Sequence, residues 1–312
     1  TYSLRQQMLR HHYLFLYLVT ILIWGSTWLV ITFQLGSVDP IVSVIYRMSL
    51  ASLVMFVLCK VKRIQTAASK SDHVLFMLQG TLTFGVNFWL IYLAESYLTS
   101  GLIAVIFSLI LFFNIVNAKI FLGRPIDKLV IAGGLIGLIG LFLLFFPELS
   151  GPNLQTDVLT GFLIALTAVL CASLGNMAAS KSGLSGHSVW KINAWSTCYG
   201  AAALILVAQF TGAEFNFEYS VEYIFSLIYL VIFGTILAFG AYLKLMVLIG
   251  PERASYGALL IPFVAITLST IFEGYQWSSI ALLGFLLAAL GNYLVLKTVS
   301  YTHLRAHETF GY

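Results

Sequence analysis

Charge is what this sequence lacks most. Of its 312 residues only 9% are Asp, Glu, Lys or Arg, against about 25% in an ordinary soluble domain. Residues that are 60% hydrophobic with so little charge exclude a soluble enzyme and require a lipid environment. Cysteine is also scarce. Cys59, Cys171 and Cys198 lie in or beside apolar runs and are far apart in sequence. That spacing excludes a disulfide framework and a thiolate metal site. Enzyme signatures are missing too: no HExxH, Walker loop, CxxC or Gly-x-Ser-x-Gly occurs. All six histidines (His11, His12, His73, His187, His303, His307) fall in termini or loops. No cofactor or metal is expected, and without a P-loop no ATP hydrolysis is intrinsic to the chain. The net charge of +4 is dispersed over short loops rather than gathered on one face, so no nucleic-acid partner is expected. No cleavable signal is evident at the start.

What the sequence has instead is apolar runs. Ten are expected, at about 13–33, 41–59, 74–93, 99–119, 128–146, 158–180, 189–210, 222–243, 254–272 and 277–296. Each is near 20 residues, enough at 1.5 Å per residue to cross roughly 30 Å of hydrocarbon. They do not alternate, which excludes barrel strands. Fifteen of the sixteen basic residues fall in loops of one side, and the other side's loops carry Asp39, Glu95, Glu148, Asp157, Glu214, Glu218, Glu222 and Glu273. By the positive-inside rule both termini are cytoplasmic.

Ten spans divide into two fives. Five is odd, so related halves must insert in opposite directions, the plan of secondary transporters. Each half ends in a Gly-bearing span (Gly133, Gly134, Gly137, Gly140; Gly284, Gly291) after a short break. The expected fold is therefore all-α integral membrane, ten helices as two inverted five-helix repeats over 13–146 and 158–298. The Pro147–Asp157 loop is the seam.

Particular residues carry a family resemblance. Trp24-Gly25-Ser26-Thr27-Trp28 opens the first span. Asp39-Pro40 precedes Arg47 in the second. Pro262, Glu273, Gly284 and Gly291 mark the last two. Over residues 13–298 the chain resembles the EamA-type transporters of the drug/metabolite transporter superfamily. The resemblance implies a central cavity lined by spans one, three, four, six, eight and nine, alternating access, and outward movement of small metabolites. One departure stands out. The family often carries a Glu where the fourth span meets the fifth; here that place reads Phe121-Leu122-Gly123-Arg124-Pro125. Only the second half, with Glu273, keeps it.

Arg47 is the one basic residue inside a span. It reads as a contact for a substrate carboxylate, as a fixed ion pair with a partner such as Glu95, or as a side chain snorkelling to the outer interface, since an intramembrane Arg is costly unless paired or wetted. Glu95 and Glu273 end the third and ninth spans, where the helix dipole disfavours a carboxylate. Each is a coupling candidate or a boundary residue held by a neighbouring loop. Trp24, Asn87, Tyr92, Asn114, Asn176 and Tyr242 are candidate substrate contacts, and interhelical hydrogen bonding is the alternative for each Asn. Pro262 is expected to kink the ninth span mid-way and act as a hinge. Gly133-xxx-Gly137 and Gly284-xxx-Ala288 read as close-packing faces, within one chain or across a homodimer seam.

Residues 300–312 read as a non-native, adapter-derived tail. The reading is thus a carrier of small metabolites or amino acids in a lipid bilayer, the bacterial inner membrane being the plasma membrane it suits. Uptake and a non-transporting scaffold are the alternatives.

Overall fold

The computed structural model describes residues 2–123, 126–149, 155–184, 186–249 and 256–309. Expectations touching Arg124, Pro125, Arg253 and Ala254, part of the Pro147–Asp157 seam, and 310–312 of the tail lie outside them. The described residues form ten helical spans and no strands. They are α1 (Tyr2–Thr32), α2 (Pro40–Val61), α3 (Lys70–Ala94), α4 (100–122), α5 (Lys128–Leu149), α6 (Gln155–Leu184), α7 (Val189–Thr211), α8 (221–249), α9 (256–272) and α10 (Ser279–Thr309). Eight are long and apolar enough to cross a bilayer, and Gly257–Phe272 and Ser279–Val295 are shorter apolar helices. The chain is a multi-pass membrane protein.

Local chemistry sets the ends. The Asp39 side chain accepts from the Ile41 N–H at 3.0 Å and Pro40 occupies the first turn of α2, where a missing N–H costs nothing. Ser69 and Asp72 cap each other's backbone at the start of α3. Gly123 and Gly212 end α4 and α7 with φ of 67° and 72°, a left-handed conformation that favours glycine. Leu135, Leu138, Ile139, Phe142 and Phe146 leave an exposed stripe along α5. In water such a stripe would be a liability; in lipid it is the outer wall.

Packing repeats itself five spans later. α3 packs on α6 and α7, and α8 packs on α1 and α2; α4 packs on α6 as α9 packs on α1; α5 pairs with α10 and α2 with α7. The backbones repeat too. α3 carries an eight-residue π-helical stretch at Gly80–Asn87 and α8 carries one at Leu230–Leu237. Both are third in their set of five. α4 is interrupted at Ser108–Leu109 and α9 at Leu260. The expected duplication is visible as matched irregularities, not only as matched lengths.

The glycine faces of α5 and α10 are occupied by each other. A Cβ at Gly133 would lie 2.8 Å from the Gly291 carbonyl oxygen, and one at Gly140 would lie 2.6 Å from that of Gly284. These stripes serve packing within one chain.

Two expectations need correction. Pro262 does not kink the middle of a continuous helix. Tyr256–Leu259 is a 3₁₀ turn, and Pro262 sits in the first turn of Ile261–Phe272. Proline lacks the N–H that a helix interior needs, so the chain starts a new helix around it instead of bending through it. Pro262→Ala is accordingly expected to shift stability by no more than about 1 kcal/mol, read as a small change in thermal midpoint in detergent. The seam is shorter than expected: α5 continues through Pro147 to Leu149. At the other end, α10 continues unbroken to Thr309.

Candidate functional site

The sequence-predicted site residues gather into separate clusters. The first surrounds Arg47. Its guanidinium reaches in from α2 and is only 3% exposed. It lies 4.5 Å from the Phe88 ring centroid, a cation–π contact. Nη1 donates to the Tyr92 hydroxyl across a long 3.5 Å. Tyr92 in turn donates to Gln34 Oε1 at 2.7 Å. Gly234 brings the backbone of α8 alongside, where a Cβ would lie 3.7 Å from Arg47 Nη2. Both halves of the chain therefore meet at this cation. Arg47 Nε and Gln34 Nε2 are buried donors with no acceptor. No carboxylate lies within 4.0 Å of the guanidinium among the described residues, so the anticipated Arg47–Glu95 ion pair is not formed. The cluster holds surplus donors and one positive charge.

The second cluster joins Trp24 and Tyr242, with ring centroids 5.4 Å apart and Phe239 at 5.2 Å from Trp24. Trp24 Nε1 donates to the Gly234 carbonyl at 3.1 Å. That carbonyl lies inside the π-helical stretch of α8, where wide turns free backbone acceptors. Ser26 and Tyr229 share a 2.7 Å hydrogen bond beside it.

The third is a ladder between α4 and α6. Asn176 Nδ2 donates to Asn114 Oδ1 at 3.3 Å, and Asn117 Nδ2 donates to Ser173 Oγ at 2.9 Å. Asn87 joins neither cluster. It donates to Thr83 O on its own helix at 3.0 Å, and its Oδ1 is buried without a partner.

Glu95 and Glu273 differ sharply in surroundings. Glu273 closes α9 but also caps α4: the Ser100 N–H donates to Oε1 at 3.0 Å and the Ser100 hydroxyl donates to Oε2. A carboxylate unwelcome at its own helix C-terminus is thus welcome at another's N-terminus. Glu95 follows the last residue of α3, is 8% exposed, and neither carboxylate oxygen meets a donor.

Several participants were not anticipated. Gln34 follows the apolar run of α1 with no periodic signal, and Phe88 looked like any core aromatic. Asn292 Nδ2 donates to Ser108 Oγ at 2.7 Å at the break in α4. Its only sequence signal was an Asn inside an apolar run. A shallow groove of about 450 Å³ opens between α1 and α8, lined by Val30, Phe33, Phe225, Tyr229 and Phe233 among others. None of the expected site residues lines it.

The EamA-like transporter family matches this chain twice, over residues 12–146 and 159–297. An uncharacterized transporter, YoaV, of Bacillus subtilis is 24% identical over 89% of this chain and 94% of its own length. The uncharacterized inner membrane transporter YedA of Escherichia coli K12 is 26% identical over 88% and 89%. A Salmonella typhimurium protein named "Probable amino-acid metabolite efflux pump" is 23% identical over 90% and 93%. A crystal structure covering 93% of this chain and 97% of its own superposes with a TM-score of 0.66 at 15% identity, a likeness of fold.

Proposed function

Because the chain belongs to the EamA-like transporter family and is a membrane transporter, we propose that it exports small organic metabolites carrying a carboxylate, amino acids among them, across the bacterial inner membrane by alternating access. The observation that carries the reading is Arg47. A buried guanidinium without a carboxylate partner is costly in a bilayer; its hydroxyl acceptor Tyr92 lies at a long 3.5 Å, and Arg47 Nε and Gln34 Nε2 have no acceptor. A substrate carboxylate supplies what the cluster lacks, as a charge-assisted hydrogen-bond partner. Arg47 and Tyr92 hold that group. Trp24 and Tyr242 offer aromatic faces to the side chain. Asn87, Asn114 and Asn176 form the polar wall, the last two steadied by each other.

Efflux is supported by the name of the Salmonella relative. The basic loops support a cytoplasmic side for both termini. Repeat halves of opposite orientation, with a site where they meet, suit rocking between two accessible states.

Counterflow in proteoliposomes is the test. It uses labelled leucine, phenylalanine, threonine, cysteine and glutamate, each against its unlabelled self. Exchange of at least one compound above protein-free vesicles is expected. Silence across the panel with folded protein would overturn the assignment to amino acids.

A further inference from the structure

We propose that Glu95 is a proton-binding site of this protein and is protonated in the conformation seen here. The argument begins with what surrounds it. Glu95 caps the end of α3, just beyond the span Lys70–Ala94, where the helix dipole opposes negative charge. It is more than nine-tenths buried and neither oxygen receives a hydrogen bond. A buried carboxylate without donors is penalised far more strongly than the neutral carboxylic acid.

The charged and titratable groups around it come from three elements. Tyr92 lies one turn back on α3 and donates its hydroxyl hydrogen bond to Gln34 Oε1. Glu273 approaches from the end of α9 and interacts electrostatically with Glu95. Ser100 donates twice to Glu273, through its N–H and its hydroxyl. Arg47 on α2 favours ionisation of Glu95, but no ion pair forms within 4.0 Å. Glu273 is half-buried and receives both Ser100 donors, whereas Glu95 is buried and receives none. Burial first, then the Glu273 charge, push Glu95 well above the ordinary glutamate range, and Arg47 opposes them only in part.

The geometry thus separates two residues that look equivalent in the sequence. Glu273 is a structural cap, and Glu95 is the group free to exchange a proton. If the transport reading holds, Glu95 sits beside the cation proposed to take the substrate carboxylate, and its proton can move with or against the substrate.

The test needs no substrate, so its failure is distinct from silence in counterflow. Infrared spectra of the purified protein in lipid are recorded across pH, in sodium or choline chloride. Wild type is expected to show a carboxylic C=O band that titrates above the ordinary glutamate value of about 4.3. Glu95→Gln is expected to lose that band. Glu273→Gln is expected to keep it with a lower midpoint, because a like charge has been removed. Glu95→Asp, which keeps a carboxyl, is expected to move its frequency.

The stability sign follows. A raised folded-state value contributes stability that is complete below the unfolded value and lost as pH rises through the folded one. The thermal midpoint of wild type should therefore fall relative to Glu95→Gln with rising pH. A band that survives Glu95→Gln, is unmoved by Glu95→Asp, or is absent from wild type at every pH overturns the proposal. A band lost in sodium but kept in choline at one pH overturns it too, in favour of a sodium site.

Discussion

Leucine at Gly140 is expected to prevent α5 and α10 from closing on each other. A Cβ there would lie 2.6 Å from the Gly284 carbonyl oxygen and 2.9 Å from the Leu287 carbonyl carbon. Both contacts are backbone, so no rotamer change relieves them. Overfilling a core where side chains can adjust costs about 1–3 kcal/mol. Here two helices must separate, and the loss should exceed about 3 kcal/mol, the upper end of that range. The pair has no hydrophobic driving force to fall back on in lipid, where association depends on close contact between small residues. Size-exclusion chromatography in detergent checks the result: the monodisperse peak should be lost. Gly137→Ala is the control. A Cβ there meets only Leu109 Cδ2 at 3.7 Å, and wild-type yield is expected. Normal yield of Gly140→Leu would mean that α5 and α10 do not pack as described.

Arg47→Ala is expected to separate binding from folding. The residue carries a buried charge with no carboxylate partner among the described residues, so deleting it leaves no orphaned carboxylate behind. Folded yield should hold or improve, because the desolvated cation is gone. Binding should not hold. Truncating one side of a buried, hydrogen-bonded charge pair costs about 2–4 kcal/mol, roughly 30- to 1000-fold in Kd. The comparison is made on the panel compound that shows counterflow, as half-saturation against yield. Arg47→Lys should recover little of the loss, since a point charge does not replace a planar fork stacked on Phe88. Equal losses of yield and affinity would make Arg47 structural and remove the main support for a carboxylate substrate.

Much of the fold was legible because lipid simplifies the problem. Backbone groups in hydrocarbon must bond within their own helix, so apolar run length alone gave ten spans, although α1 begins earlier, at Tyr2, and α10 ends later, at Thr309, than the apolar runs do. Tertiary packing overrode local signals at a few places. Pro262 marked a real irregularity in α9, but whether proline bends a helix or begins one depends on where the preceding turn is held. The π-helical stretches left no mark in residue order: GTLTFGVN and LVIFGTIL agree at no position. Both stretches pack closely on neighbouring helices. At Gly80 a Cβ would lie 2.9 Å from Tyr199 Cβ, and at Gly234 one would lie 2.8 Å from Thr27 Cγ2.

The site was legible as residue types and illegible as pairings. Asn114 and Asn176 stood out because amides are expensive in hydrocarbon, yet nothing in the order of residues said that each would be the other's partner. Arg47 and Glu95 looked like a natural ion pair, and the structure keeps them apart. Gln34, with no periodicity to flag it, completes the Arg47 cluster through Tyr92. By itself the sequence determined the membrane setting, the number of spans, the duplication and the family, because these depend on burial in lipid and on chain order. Only the tertiary structure decided which of two similar glutamates is capped. Glu273 meets the N-terminus of α4 and Glu95 meets none. That difference arises from residues 173 positions apart in the case of Ser100 and Glu273, and a charge's state depends on the donors around it rather than on its neighbours in the chain.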